Sequence, residues 1–89
     1  MQTKQVCYLC GRLVNLERHH LYFGANRKPS EKYGLWVWLC PDCHRTGKQA
    51  VHRDYQTNLR LKQAGQQAFE RTHTREEFMR IFGRNYLEV

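Results

Sequence analysis

With 89 residues and a formal charge of +7, the chain is sized for a single domain whose core is small enough to want a metal or disulfide staple. No apolar run approaches the roughly 20 residues of a membrane helix, which argues against a membrane partner, and the first residues lack the apolar centre of an export signal. We therefore expect a cytoplasmic protein with reduced thiols, whose four cysteines serve as metal ligands rather than disulfides.

The charge is uneven. Residues 1–60 hold ten Lys/Arg against four Asp/Glu, and the remaining residues five against four. Four thiolates and two divalent ions would offset one another, so the excess survives metal binding. Such a surface either attracts a polyanion through counterion release or is simply a solvated basic face.

In chain order, a polar lead-in reaches Cys7-Tyr8-Leu9-Cys10-Gly11-Arg12, which has the form of a zinc knuckle. Leu13 to Arg18 reads as a connector without period. His19 to Phe23 reads as a strand stopped by Gly24. Residues 24–34 read as a basic loop carrying Arg27 and Lys28, with Ser30 capping a short turn that Gly34 closes. Leu35 to Leu39 reads as a second strand running into Cys40-Pro41-Asp42-Cys43-His44. A helix is expected from about Gln49 or Asp54, weakened by Gly65 by about 1 kcal/mol relative to alanine. Thr74 with Glu77 forms a capping-box pattern, followed by Phe78, Ile81 and Phe82 on one helical face and a stop at Gly83. That apolar face suits a core, or else a docking surface for a protein partner.

The two Cys-x-x-Cys pairs are separated by 29 intervening residues. Tetrahedral zinc takes four soft ligands, and two knuckles supply them in pairs, so Cys7, Cys10, Cys40 and Cys43 are expected to hold one structural zinc. A redox pair would not explain the duplication. Of the five histidines, His19 and His20 lie between the knuckles, and His44 abuts the second. Neighbours on a strand point to opposite faces, so His19 and His20 suit two roles, one metal ligand and one base. His52 follows His44 by eight residues, a rise of roughly 12 Å on a continuous helix, too far for two nitrogens on one ion. It can join His44 only if residues 45–50 form a loop, which Gly47 favours. His73 reads as structural or exposed.

Taken together, Cys7-x-x-Cys10, His19-His20 and Leu39-Cys40-Pro41-Asp42-Cys43-His44 resemble the zinc-containing, four-cysteine branch of the HNH endonucleases, and in particular small nucleases encoded by phages and prophages. The resemblance covers Cys7 to His52, about half the chain. It implies one nuclease domain over residues 1–89: a zinc and ββα-metal (His-Me finger) core at about 7–61 in an α+β fold, and a C-terminal helical tail at about 62–89. It implies His19, His44 and His52 around one catalytic divalent ion and His20 as general base. The ion itself stays open among Mg²⁺, Mn²⁺, Ni²⁺ and Zn²⁺, because imidazole accepts several metals.

The implied activity is hydrolysis of DNA phosphodiesters with little sequence specificity, in a bacterial host cytoplasm, with phage proteins as further partners. Arg27, Lys28, Arg45 and Lys48 are candidate phosphate contacts. One departure is Leu35, which stands where the family's middle Asn restrains the loop, with Asn26 as a possible substitute. The competing reading is a non-catalytic zinc module that binds nucleic acid or a protein.

Overall fold

A computed structural model, which describes residues 1–88, shows a small α+β fold in which a two-stranded antiparallel sheet is followed by two packed helices. Strand β1 (Glu17–His20) pairs with β2 (Trp36–Leu39) in the register Glu17↔Leu39, Arg18↔Trp38, His19↔Val37 and His20↔Trp36. Opposed residues share a face and successive residues alternate, so His19 lies with Val37 on one face and His20 with Trp36 on the other. The second face is braced by Arg18, whose guanidinium lies 4.1 Å from the Trp36 ring centroid.

β1 begins at Glu17, inside the stretch that reads as a connector, and ends at His20 rather than Phe23. A buried hydroxyl ends the ladder. Ser30 Oγ accepts the Tyr22 N–H at 3.3 Å and donates to the Leu35 carbonyl at 2.6 Å, while Leu21 N–H still reaches Leu35 at 3.1 Å. The intervening segment is also more ordered than expected. A 3₁₀ turn at Gly24–Asn26 leads into helix α1 (Arg27–Lys32), with Ser30 inside the helix instead of capping it. Pro29 is tolerated because the first turn needs no N–H donors. Asn26 Nδ2 donates to the Phe82 carbonyl at 3.1 Å, tying this segment to the far end of the chain.

Helix α2 (Tyr55–Phe69) starts at the later of the two expected positions, where the Asp54 carboxylate accepts the Thr57 N–H at 3.1 Å. Gly65 has a packing reason. A Cβ there would sit 2.6 Å from Leu21 Cδ1 and 2.8 Å from the Tyr22 hydroxyl, so the helix crosses the end of β1 where it lacks a side chain. Helix α3 (Arg75–Phe82) opens on the Thr74–Glu77 capping box and closes at Gly83. Phe78 and Phe82 are buried with Tyr22, Phe69 and Tyr86, and Ile81 packs partly against them. Burying each phenylalanine contributes about 1.5–3 kcal/mol, so this face belongs to the core. The buried Gln66 then pins the C-terminal segment: its Oε1 accepts the Tyr86 N–H at 2.7 Å and its Nε2 donates to Asn85 at 2.8 Å. No helix among the described residues is long and apolar enough to cross a membrane.

Candidate metal centres

The two knuckles meet beside the sheet. Cys7 N–H donates to the Arg12 carbonyl and Gly11 N–H to Cys7, which closes the first knuckle, and Tyr8 N–H donates to Trp38 and docks it on the edge of β2. The second knuckle leaves β2 directly, with His44 N–H donating to the Cys40 carbonyl at 2.9 Å. The sulfurs of Cys7, Cys10, Cys40 and Cys43 all lie within 4.8 Å of one another, and Cys10 and Cys40 are 3.6 Å apart. A tetrahedral ion with bonds of about 2.3 Å to sulfur sets its ligands roughly 3.8 Å apart, so the donor set fits zinc; a disulfide would need about 2.0 Å. Burial pushes the Cys7 thiol up, but N–H groups of Cys40, Cys10 and Leu9 outweigh it and hold the thiol at about 6. Cys43 is pushed strongly up, by burial first and then by the neighbouring sulfurs. One thiolate forms readily while others resist, a conflict that a divalent cation removes.

A second cluster forms on the opposite flank of His44. Cys43 and His44 lie in a short π-helical turn, Asp42–Thr46, that stops at Gly47 instead of continuing as a longer helix. Gly47 N–H donates to the Asp42 carbonyl, and a Cβ on Gly47 would stand 2.7 Å from that oxygen. The chain then doubles back, with Val51 N–H donating to Cys43 and His52 N–H to His44. This reversal puts His52 Nε2 3.0 Å from His44 Nε2. His19 enters from β1, and ligand atoms of His19, His44 and His52 all lie within 4.8 Å of one another. Nitrogens about 2.1 Å from a shared ion lie roughly 3.0–3.4 Å apart, depending on octahedral or tetrahedral geometry.

Three features suit these histidines to a cation. His19 Nε2 is buried with no hydrogen-bond partner. Burial, reinforced by His44 and His52, holds His19 down at about 3, so it keeps its lone pair at neutral pH. Desolvation, followed by His44 and Arg45, lowers His52 as well. His44 Nδ1 is 2.6 Å from the Glu17 carboxylate, which leaves its Nε2 facing the other rings. A carboxylate behind a ligating imidazole fixes the ring and its tautomer.

His20 faces away from this cluster. It is 9% exposed, with its Nε2 3.4 Å from Glu31 Oε2. Glu31 is itself held by Arg18 at 2.8 Å. The Leu35 carbonyl is taken by Leu21 and Ser30, and the polar group set against the His20 imidazole is the Glu31 carboxylate. His20, Gly24, Arg27, Lys28, Glu31 and Lys32 line an open cleft of about 530 Å³. Arg27 and Lys28 thus stand beside His20. Arg45 instead pairs with Glu17 at 3.3 Å, behind His44, and exposed Lys48 lies outside the cleft. His73 stacks on Phe69 at 4.3 Å, remote from both clusters.

Sequence reasoning misses Glu17, Glu31 and Lys32. Glu17 carried a usable signal, because it precedes His19 by two residues and so shares its strand face. Glu31 carried none, since its place beside His20 depends on how α1 packs. No family model matches the chain, and no curated protein or solved structure shows significant similarity to it.

Proposed function

We propose that the chain is a metal-dependent endonuclease of the HNH type, with a ββα-metal-like core, that hydrolyses DNA phosphodiesters. The observation that supports this reading best is the meeting of His19, His44 and His52, with Glu17 behind His44, one residue away from His20 in a basic cleft. A closed four-cysteine zinc explains none of that arrangement.

On this reading the four cysteines would hold a structural zinc, and the histidine cluster would hold the catalytic ion. His19, His44 and His52 would hold a divalent ion, which would supply positive charge near the scissile phosphate. His20, as neutral imidazole, removes a proton from water while the water oxygen attacks phosphorus and the bond to the leaving ribose oxygen breaks. Glu31 stabilises the imidazolium that results and keeps the ring in place. Arg27, Lys28 and Lys32 hold flanking phosphates without reading bases, so cleavage is weakly specific.

Plasmid cleavage by the zinc-loaded chain, measured across Mg²⁺, Mn²⁺, Ni²⁺ and Zn²⁺ beside His20→Ala, tests this. Divalent-dependent cleavage that His20→Ala abolishes supports the reading. DNA binding without cleavage under any of these ions returns the chain to the class of non-catalytic zinc modules.

A further inference from the structure

Phe23 stands outside the buried core. It leaves β1 just after the histidine pair and is 45% exposed, although Leu21 and Tyr22 before it are buried. Its ring lies 5.8 Å from His52 and 6.2 Å from His19, at the lip of the histidine cluster. The ammonium of Lys62, on α2, sits 4.6 Å from the Phe23 centroid and 5.5 Å from that of Tyr86. The guanidinium of Arg84 lies 5.0 Å from Tyr86. Ring and cation therefore alternate from the candidate metal centre along α2 to the C-terminal segment. That segment is fixed rather than loose, because Gln66 holds Tyr86 N–H and Gln63 donates to the Tyr86 carbonyl at 3.0 Å. No carboxylate among the described residues pairs with Lys62 or Arg84.

We propose that the strip Phe23–Lys62–Arg84 is a binding track for an unpaired nucleic-acid strand, with a base stacked on Phe23 beside the histidine cluster and phosphates on Lys62 and Arg84. The inference rests on the nuclease reading and adds a substrate class to it. Alternating aromatic rings and cations serve single strands, because every base has a stacking face and the cations follow the backbone. A base inside a duplex is already stacked on both sides. It reaches an exposed ring only where the strand is single, frayed or locally opened. A track made for duplex backbone alone has no use for a half-exposed phenylalanine.

Binding is measured by fluorescence anisotropy on the zinc-loaded full chain carrying His20→Ala, which limits cutting. The probes are a short oligothymidylate, its duplex with oligoadenylate, and an abasic strand of equal length. Phe23→Ala is expected to weaken oligothymidylate binding about tenfold, the typical cost of one lost stacking platform, and to leave the abasic strand unchanged. Lys62→Gln and Arg84→Gln are expected to weaken both strands and to reduce the salt dependence by about one counterion each. In Phe23→Trp, oligothymidylate should quench the added tryptophan, whereas the abasic strand should not. Equal affinity of Phe23→Ala and its parent for oligothymidylate, or a preference for duplex, overturns the track. Plasmid cleavage by a wild-type chain that shows no such stacking would remove the track alone. Failure to bind any of the three probes would remove the nuclease reading with it.

Discussion

The cysteine cluster and the histidine cluster share one short connection, Cys43-His44, yet they are built in opposite ways. The sulfurs come from two local turns, each carrying its pair three residues apart, so either turn forms half a site by itself. Cys7 and Cys40 are buried, Cys43 is partly covered and only Cys10 is exposed. The three imidazoles come from a strand, a knuckle and a returning loop, and none of those pieces forms a site alone. His19 and His44 are buried, while His52 is exposed beside a half-exposed phenylalanine. One cluster is closed with four matched soft donors. The other offers three borderline donors and an accessible side, which is what the proposed split between a structural and a catalytic metal requires.

That contrast breaks most violently at Cys43. Cys43→Ser should collapse the fold, because structural zinc supplies on the order of 10–16 kcal/mol of apparent binding energy that is also folding energy. Circular dichroism should show loss of helix, and chelation of the wild type should reproduce it. A folded, fully helical Cys43→Ser protein would mean that the cysteines do not staple the domain.

At the histidines the fold should survive and the chemistry should fail. His20→Ala is expected to lower plasmid cleavage by about 10²–10⁴-fold, the usual contribution of a general base, at unchanged melting temperature. His44→Ala should also keep the fold while losing activity. Cobalt titration separates the two centres: the wild type should take up two ions, one with thiolate-to-metal charge-transfer bands and one without, and His44→Ala should lose only the second. Loss of the thiolate bands in His44→Ala would show that the centres are not separable.

A smaller effect is expected one layer out. Glu17→Gln removes the charge behind His44 but keeps its shape, and should weaken metal binding at the histidine site about 10–100-fold without touching the sulfur site. Equal weakening at both sites would assign Glu17 to overall stability instead. The smallest effect is expected at Gly65. Alanine there should gain about 1 kcal/mol of helix propensity but force its Cβ against Leu21 and Tyr22, for a net loss of about 1–2 kcal/mol in urea unfolding. Because those residues follow His19-His20 directly, activity should fall along with stability. A stabilised Gly65→Ala protein would show that α2 can retreat without disturbing the strand.

Much of the local structure was readable in residue order. The knuckle spacing and the Thr74 capping box are short-range patterns, and hydrogen bonds within a few residues satisfy them; the start of α2 was narrowed only to Gln49 or Asp54, and the Asp54 cap decides it. The apolar spacing of Phe78, Ile81 and Phe82 was also readable, though not whether it faced a core or a partner. The strand limits were not readable, because β1 takes its extent from pairing with β2 and ends where the Ser30 hydroxyl, from a helix, intercepts Tyr22. The helical character of residues 27–32 was hidden for a related reason: Gly24, Asn26 and Pro29 look like loop punctuation until packing gives each a place.

By itself, the sequence determined that four sulfurs come in two pairs, that His19 and His20 must face opposite ways on a strand, and that the basic charge gathers near these motifs. Each follows from spacing and backbone geometry alone. Only the tertiary structure decided that residues 45–50 turn back and carry His52 to His44, and that Glu17 and Glu31 stand behind different histidines. It also decided that Phe23 remains uncovered beside them. Those facts depend on contacts between segments distant in the chain, where burial and loop closure, rather than local propensity, select the conformation.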